Sequence, residues 1–341
     1  VDYTLEDIAR LAGVSRSTVS RVVNNHPNVR PEVRERVWQV IHQVGYQPHA
    51  AARSLATNRT NVIGLVIPEA VSTLFTDPFF SLLIRGITDG CYARNYHLML
   101  ALFSTPAQEE DLYNRLLRSR YLDGVILAST RLDDPLVGRL LADGIPFVSI
   151  GRHPDPRVSY VDVDNVAGAR MAVDHLVRLG HTRIGTVTGP LDMSAGRDRL
   201  EGYKQALQAH HIPVDEDLIV EGDFTEGGGM ASMARLLGLN PRPTAVFVAS
   251  DTMAMGALRA VRQAGLRVPQ DISLIGYDDV PQASFLDPPL STVRQPIQQL
   301  GETAAHVLVD LIAHGQEHAQ RLVLMPELVL RQTTARPQKE V

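Results

Sequence analysis

Long apolar runs are missing from this chain, and so are paired cysteines. The longest apolar stretches, such as VIGLVI at 62–67, fall far short of the roughly 20 residues a helix needs to cross a bilayer. No basic segment followed by an apolar one opens the sequence, so no secretion signal is expected. The single cysteine, Cys91, excludes an internal disulfide and suits a reducing compartment. Amid an apolar helical pattern it reads as a buried structural residue rather than a nucleophile. Together these absences predict a cytoplasmic protein with no membrane partner.

The usual signatures of catalysis and metal binding are missing too. HGQEH at 314–318 has the H-x-x-E-H spelling of one zinc-protease class. That chemistry needs one continuous helix, and Gly315 is placed to end it. His210–His211 and the dispersed other histidines lack metal-ligand spacing. EGGG at 226–229 lacks the lysine and hydroxyl of a phosphate-binding loop. No convergent acid–base or nucleophile set is found. The expectation is a protein that is not an enzyme and carries no metal or cofactor.

What is present is an ordinary globular composition. With 341 residues, 44% hydrophobic and 21% charged, the chain is long enough for two or three domains with buried cores. Its net charge of −5 is unevenly spread: residues 1–60 hold eight arginines and five acids, a net of +3, which leaves −8 for the remainder. A small basic module joined to a larger acidic body follows.

The basic part has helical punctuation. Thr4 is placed to cap a helix with Asp7 at its third position, a capping-box start. Leu5, Ile8, Ala9, Leu11 and Ala12 recur at helical spacing, and Gly13 stops the run. Ser15 opens a second helix, in which Val19, Val22 and Val23 form a narrow apolar stripe. Arg16, Ser17, Ser20 and Arg21 occupy the other face. Pro31 opens a third helix, with Val33, Val37, Val40, Ile41 and Val44 inward and Gly45 at its end. Helix, short glycine turn, helix is the plan that lays its second helix in the major groove. Arg16 and Ser17 would then meet base edges, with Arg21 one turn on, since arginine can donate two bonds to guanine. Thr4, Ser15, Thr18, Ser20 and Asn24 supply further donors for bases or phosphates. A three-helix bundle used for protein contacts is the competing reading.

Residues 46–57, YQPHAAARSLAT, decide between them. After Pro48 they spell one or two helical turns, too short to be stable in water unless a partner holds them. TLEDIARLAGVSRSTVSRVVN followed by GYQPHAAARSL resembles the DNA-binding head and hinge of the LacI/GalR family of bacterial transcription regulators. The resemblance implies that the hinge, with His49, Ala52, Arg53 and Leu55, folds on operator DNA, and that Leu55 wedges open the minor groove. Arg30 stands where the family usually has a capping serine or threonine, and His49 replaces the usual hinge asparagine.

From Asn61 onward, short apolar strands at 61–67, 97–103, 124–129, 146–151, 183–189, 244–250 and 272–278 alternate with helices such as Ala167–Leu179 and Leu300–Ala313. This pattern predicts mostly parallel sheets with helices on both faces, and too many strands for one compact sheet. The resemblance extends here through YVDVDNVAGARMAVDHLVRLGHTRIGTVTGP (160–190), SDTMAMGAL and DISLIGYDD. The fold expected is an all-α helix-turn-helix head plus an α/β, periplasmic-binding-protein-like body of two doubly wound parallel-sheet lobes. The domains are a head at 1–46, a hinge at 47–60 and an effector-binding and dimerisation body at 61–341. Chain crossings near 160 and 290 put lobe 1 at about 61–160 and 291–320, and lobe 2 at about 161–290 and 321–332.

Ligands in such folds sit beyond the carboxyl ends of strands, in the cleft between lobes. Asp77, Phe79 and Phe80 follow the first strand; Phe80 reads as core, and Asp77 can equally cap the next helix. By resemblance, Arg199 is the ligand-binding arginine and Phe224 the cleft aromatic. Ser250 and Asp278 sit at matched strand ends that hydrogen-bond the ligand. Arg152 is divided between the cleft and a surface salt bridge, and Arg197 and Asp251 between the cleft and interlobe structure. One guanidinium, two carboxylates and aromatic plates suit a neutral polyol, which offers both donors and acceptors. The expected function is a homodimeric repressor of sugar-utilisation genes, released from a palindromic operator on double-stranded DNA by a small carbohydrate-like effector. No leucine-heptad tail follows residue 330, which favours a dimer over a tetramer. The alternatives are a purine or nucleoside effector or corepressor, a solute-binding receptor and a sugar-processing enzyme.

Overall fold

The computed structural model describes residues 3–23, 26–46, 59–68, 76–128, 131–315 and 318–338. The chain divides into two units, Val1–Asn61 and Val62–Val341.

The first unit is helical: α1 (Leu5–Ala12), α2 (Arg16–Val23) and α3 (Pro31–Val44). Thr4 and Asp7 close a reciprocal capping box, the Thr4 N–H donating to Asp7 Oδ2 at 3.0 Å and the Asp7 N–H to Thr4 Oγ1 at 3.3 Å. Gly13 ends α1 in the left-handed region at φ 63°, where a side chain would be strained. Pro31 begins α3 without help from Arg30, whose side chain caps nothing. Ile8, Ala12, Val19, Val22, Val37 and Ile41 close the core. Leu11 departs from the expected inward set and is 52% exposed. At 100° per residue it lies on the far side of Ile8 from Ala9 and Ala12, outside the buried arc. The hinge residues His49, Ala52, Arg53 and Leu55, and Asn24, lie outside the described residues.

The second unit holds two six-stranded sheets. In chain order the elements of the first are β1 (Val62–Ile67), α4 (Pro78–Ala93), β2 (His97–Leu102), α5 (Pro106–Leu112), β3 (Gly124–Leu127), α6 (Pro135–Ala142), β4 (Phe147–Ile150) and β5 (Tyr160–Val163). The chain then passes to the second lobe, through α7 (Asn165–Arg178), β6 (Ile184–Thr188), α8 (Ser194–Ala209), β7 (Ile219–Glu221), α9 (Glu226–Leu237), β8 (Ala245–Val248), α10 (Asp251–Gln263), β9 (Ser273–Asp278) and β10 (Ser291–Arg294). It returns to the first lobe with α11 (Ile297–His314) and β11 (Arg321–Leu324), and ends the second sheet with β12 (Glu327–Val329).

The strand orders are β2-β1-β3-β4-β5-β11 and β7-β6-β8-β9-β10-β12. All neighbours are parallel except β10 and β12. Both orders reverse beside their first strand, so each lobe has its switch point, and the space for a ligand, at the carboxyl ends of the strands. β3, β8 and β9 are buried at every residue, which is why they read as unbroken apolar runs.

The lobe boundaries differ from those expected. β5 and β11 belong to the first sheet and β10 to the second, so the chain crosses three times, near 164, 296 and 325. The crossing segments are only one or two residues long, and sequence periodicity does not distinguish the last residue of one sheet from the first of the next. After β12 the chain stays extended along the second sheet. Thr333 is fully buried, its carbonyl accepting from the Leu274 N–H at 2.8 Å and its hydroxyl from the Ser291 N–H at 2.8 Å.

Gly315 ends α11 at φ 85°, and no group of histidines, cysteines or carboxylates fit to hold a metal is found among the described residues. Within those residues no helix is long and apolar enough to cross a membrane. In the first lobe α4 and α11 pack backbone to backbone. A Cβ on Gly86 would run into the Gln298 carbonyl, which cannot swing aside as a side chain can. Gly86→Ala is therefore expected to cost about 1–3 kcal/mol of stability, the usual price of overpacking. Urea unfolding measures it, and an unchanged midpoint would show that the two helices separate freely.

Candidate functional site

A cavity of about 130 Å³ lies at the facing strand ends of the two lobes. A single water requires roughly 10–15 Å³, so the space suits a small organic molecule. From the first lobe, Asp77, Phe79 and Phe80 enter just after β1, with Gly151 after β4 and Asp162 from β5. From the second come Asn165, Ser194, Arg199, Asp223, Phe224, Ser250, Asp278 and Gln295.

Arg199 is the centre of this arrangement and is 5% exposed. Its Nε donates to Asn165 Oδ1 at 2.9 Å and its Nη1 to the Ala249 carbonyl at 2.5 Å, and Nη1 lies 3.6 Å from Asp278 Oδ1. The guanidinium also sits over the Tyr277 ring, 3.8 Å from its centroid, and 5.8 Å from that of Phe224. Asp278 is held in turn by Gln295, whose Nε2 donates to Oδ1 at 2.5 Å. Burial pushes the Asp278 carboxyl up to about 7, Arg199 opposing the rise and the Asp77 charge adding to it. Burial likewise raises Asp77, against hydrogen bonds from the Phe79 N–H and the Thr252 hydroxyl.

The backbone is strained at the same place. Phe224, Asp278 and Asp279 have φ of 62°, 116° and 56°, in territory that side chains other than glycine avoid. Such conformations persist where the surroundings over-determine them, and they cluster at binding sites. The Phe224 ring lies against Gly189, where a Cβ would collide with it. On the first lobe, Phe79 and Phe80 meet edge to face at 5.5 Å and 82°.

Six of the seven residues expected at the effector site therefore line one cavity: Asp77, Phe79, Arg199, Phe224, Ser250 and Asp278. Two of them also have local work. Asp77 caps α4 and Ser250 caps α10, each accepting a backbone N–H. Phe80, expected in the core, is 5% exposed and serves both core and cavity wall. Arg152 does not line the cavity, because its guanidinium is held by Asp198 of α8 at 2.5 Å. That pair ties the first lobe to the second, as do Thr252 Oγ1 to Asp77 Oδ1 at 3.2 Å and the Leu132 N–H to the Asp192 carbonyl at 2.9 Å. Arg197 is exposed and reaches the Leu191 carbonyl. Asp251 is wholly buried inside the second lobe, accepting from the Thr292 hydroxyl at 2.6 Å and the Val280 N–H at 3.0 Å, so it bridges no lobes.

Five polar residues of the cavity went unforeseen: Asp162, Asn165, Ser194, Asp223 and Gln295. The signal for Asp162 was its charge within the strand YVDV. Asp162 is 7% exposed and accepts from the Val163 N–H at 2.8 Å, Asn165 Nδ2 at 3.1 Å and the Arg152 N–H at 3.2 Å. Burial lifts its carboxyl to about 6, the Val163 hydrogen bond opposing and the Asp198 charge adding to the rise.

In the helical unit, Val19 and Val22 are fully buried, while Arg16, Ser17 and Arg21 are exposed. At the start of α2 the Ser15 hydroxyl accepts the Thr18 N–H at 3.1 Å and lies 2.8 Å from both the Ser17 and Thr18 hydroxyls. Arg16 pairs with Glu6 at 3.0 Å, both side chains mostly in solvent. Exposed pairs of this kind are weak, so the guanidinium can be surrendered to a better acceptor. Thr4 is exposed but occupied with its cap.

Comparisons with known proteins bear on both units. A family profile described as bacterial regulatory proteins, lacI family, matches residues 4–49, and one described as a periplasmic binding protein-like domain matches residues 173–334. The chain is 42% identical over 333 residues to the HTH-type transcriptional regulator CelR of Thermobifida fusca, covering 97% of this chain and 98% of that protein. It is 39% identical over 339 residues to the ribose operon repressor of Escherichia coli K12, covering 96% and 98%. Among solved structures, a complex of the transcriptional regulator CelR with cellobiose superposes with a TM-score of 0.78 at 41% identity, covering 97% of this chain and 99% of that one. The lac repressor dimer bound to operator and the anti-inducer ONPF gives 0.84 at 30% identity, covering 98% and 100%.

The Asp162 environment yields a pH-linked prediction. The native state keeps its proton to about pH 6, whereas an unfolded aspartate loses it near 3.9. Ionisation between those values therefore costs the folded state stability as pH rises. Asp162→Asn removes that cost. Calorimetric unfolding should find the variant gaining on the parent between pH 4 and pH 7.5, by at most about 3 kcal/mol. A gap independent of pH would show that burial does not govern this carboxyl.

Proposed function

This chain belongs to the lacI family of bacterial regulatory proteins, and from that premise we propose that it is a repressor released from its operator by a sugar. In this reading two copies, in the cytoplasm, bind an inverted-repeat operator, each helix-turn-helix unit reading one half-site. Arg16, Ser17 and Arg21 contact bases, with Thr4, Ser15, Thr18, Ser20 and Asn24 contributing to bases and phosphates. His49, Ala52, Arg53 and Leu55 form the hinge on DNA, and Leu55 is the wedge. The solved lac repressor relative, a dimer on its operator, supports this assembly.

The observation that carries the ligand assignment is the buried Arg199–Asp278 pair beside Phe224 in a cavity between two lobes. A fixed donor, fixed acceptors and an aromatic plate match a neutral carbohydrate, whose hydroxyls donate and accept and whose ring face is apolar. The CelR relative bound to cellobiose and the relative named for the ribose operon support the class. The relatives that support this reading are transcriptional regulators, and the cavity's carboxylates serve as hydrogen-bond acceptors for backbone N–H groups and Gln295. The protein is a regulator and not an enzyme.

Control at a distance requires the ligand to favour one lobe arrangement over another. The three crossings are short connections about which two rigid lobes can turn, and the sugar would touch both. Release of DNA by the ligand is the direction proposed here. Fluorescence anisotropy on a palindromic duplex, with and without cellobiose, ribose or hypoxanthine, tests it. Tighter operator binding with ligand would make the system a corepressor one, and tight binding of hypoxanthine alone would transfer the effector to the purine class.

Two substitutions separate the functions. Arg199→Ala should lower affinity for the sugar at least tenfold in calorimetry while operator binding without ligand is retained. Arg16→Ala should cost about 1–3 kcal/mol of operator binding, and relax base preference at particular positions. A uniform loss across all operator sequences would instead assign Arg16 to phosphate.

A further inference from the structure

The charges around the cleft are unbalanced. Asp77, Asp162, Asp223 and Asp278 all line it, and among the described lining residues Arg199 is the sole cation. Arg199 is committed: two of its nitrogens are hydrogen-bonded within the protein, and its charge lies against Asp278. Asp162 has no such partner of its own. The arginine beside it, Arg152, gives its guanidinium to Asp198 at 2.5 Å and offers Asp162 a backbone N–H at 3.2 Å. The Asp198 charge adds to the negative potential at Asp162 and outweighs the opposing Arg152 charge. Asp162 is thus a nearly buried carboxylate, facing a ligand cavity, whose nearest cation is already taken.

A carboxylate only accepts hydrogen bonds. A ligand hydroxyl can donate to it, but a phosphate or carboxylate group cannot, and is repelled besides. Like charges a few ångströms apart in a partly dry site weaken binding on the order of a hundredfold. We propose that Asp162 makes the cleft selective for uncharged, hydroxyl-donating ligands and shuts out their phosphorylated and carboxylated counterparts. The inference rests on the reading of this cleft as the effector site. It goes further by dividing carbohydrates according to charge and naming the residue that divides them.

Calorimetry at pH 7.5 on the full chain tests this with matched pairs: D-glucose and D-glucuronate, D-ribose and ribose 5-phosphate, inosine and inosine 5′-monophosphate. The neutral member of a pair is expected to bind at least tenfold more tightly than the anionic one. Asp162→Asn keeps the shape and one acceptor oxygen, and should reduce that ratio at least tenfold, chiefly by improving the anion. An anion that binds the parent as well as its neutral partner overturns the proposal, and this arm does not depend on the variant folding. A ratio unchanged in Asp162→Asn overturns the assignment to Asp162. Selection seen in the inosine pair alone defeats the carbohydrate reading while the charge selection stands. Binding by no member defeats both.

Discussion

One buried guanidinium organises the ligand end of the second lobe. Arg199 comes from the first turns of α8 and is spent on groups from three other places: Asn165 at the start of α7, the Ala249 carbonyl past β8, and Asp278 at the end of β9. A buried charge is tolerable only when paired and hydrogen-bonded, so these segments must converge where the arginine is. The convergence leaves Asp278 itself short of compensation, its carboxyl lifted to about 7 despite the neighbouring cation. With the left-handed backbone at Phe224 and Asp278, it marks a region held in place by the rest of the lobe rather than by its own preferences.

The two lobes put the same physical solution to different uses. Each is a doubly wound sheet that reverses beside its first strand, so each presents a ring of strand ends to the other. The second lobe fills its ring with hydrogen-bonding groups, whereas the first contributes Phe79, Phe80 and two aspartates. Polar bridges cross between them at Asp77–Thr252, Arg152–Asp198 and Leu132–Asp192. The Arg152 side chain of the ion pair is half-exposed, and exposed pairs are individually weak, which is compatible with the lobe rearrangement proposed above.

Much of this was legible in the residues, and what was not has physical causes. The three head helices announce themselves through Thr4, Gly13, Pro31 and Gly45, because caps and stops are local chemistry. Seven strands were visible as apolar runs; six of them have both faces covered, and β2 is apolar although only Ala101 in it is buried. β5 and β10 were not: YVDV and STVR place Asp162, Ser291 and Thr292 inside the protein, where Asp162 accepts from the Arg152 N–H in a loop, Ser291 Oγ from the Arg331 N–H, and the Thr292 hydroxyl donates to Asp251. β11 is largely exposed and β12 spans three residues, so neither carries a periodic signal. Strand-end residues such as Arg199, Phe224, Ser250 and Asp278 were found through the family resemblance joined to the rule that ligands sit at strand ends. Asp162, Asn165, Asp223 and Gln295 needed coordinates, because what distinguishes them is convergence. Of the two readings of Arg152 the structure shows the ion pair, and choosing between them also needed coordinates, since its partner Asp198 is 46 residues away.

The triple crossing of the chain has a bearing on how the protein is made. The head holds all three of its helices by residue 44, and its core is complete with Tyr46. Neither lobe has that independence. The first lacks α11 and its edge strand until residue 324 has left the ribosome. The second lacks β12, and the buried Thr333 that ties β9 to β10, for several residues more. Domains generally fold as units as they emerge, and exposed sheet edges invite aggregation until they are covered. During synthesis this chain carries a finished DNA-reading module ahead of two incomplete sheets, and the last few dozen residues close both almost at once.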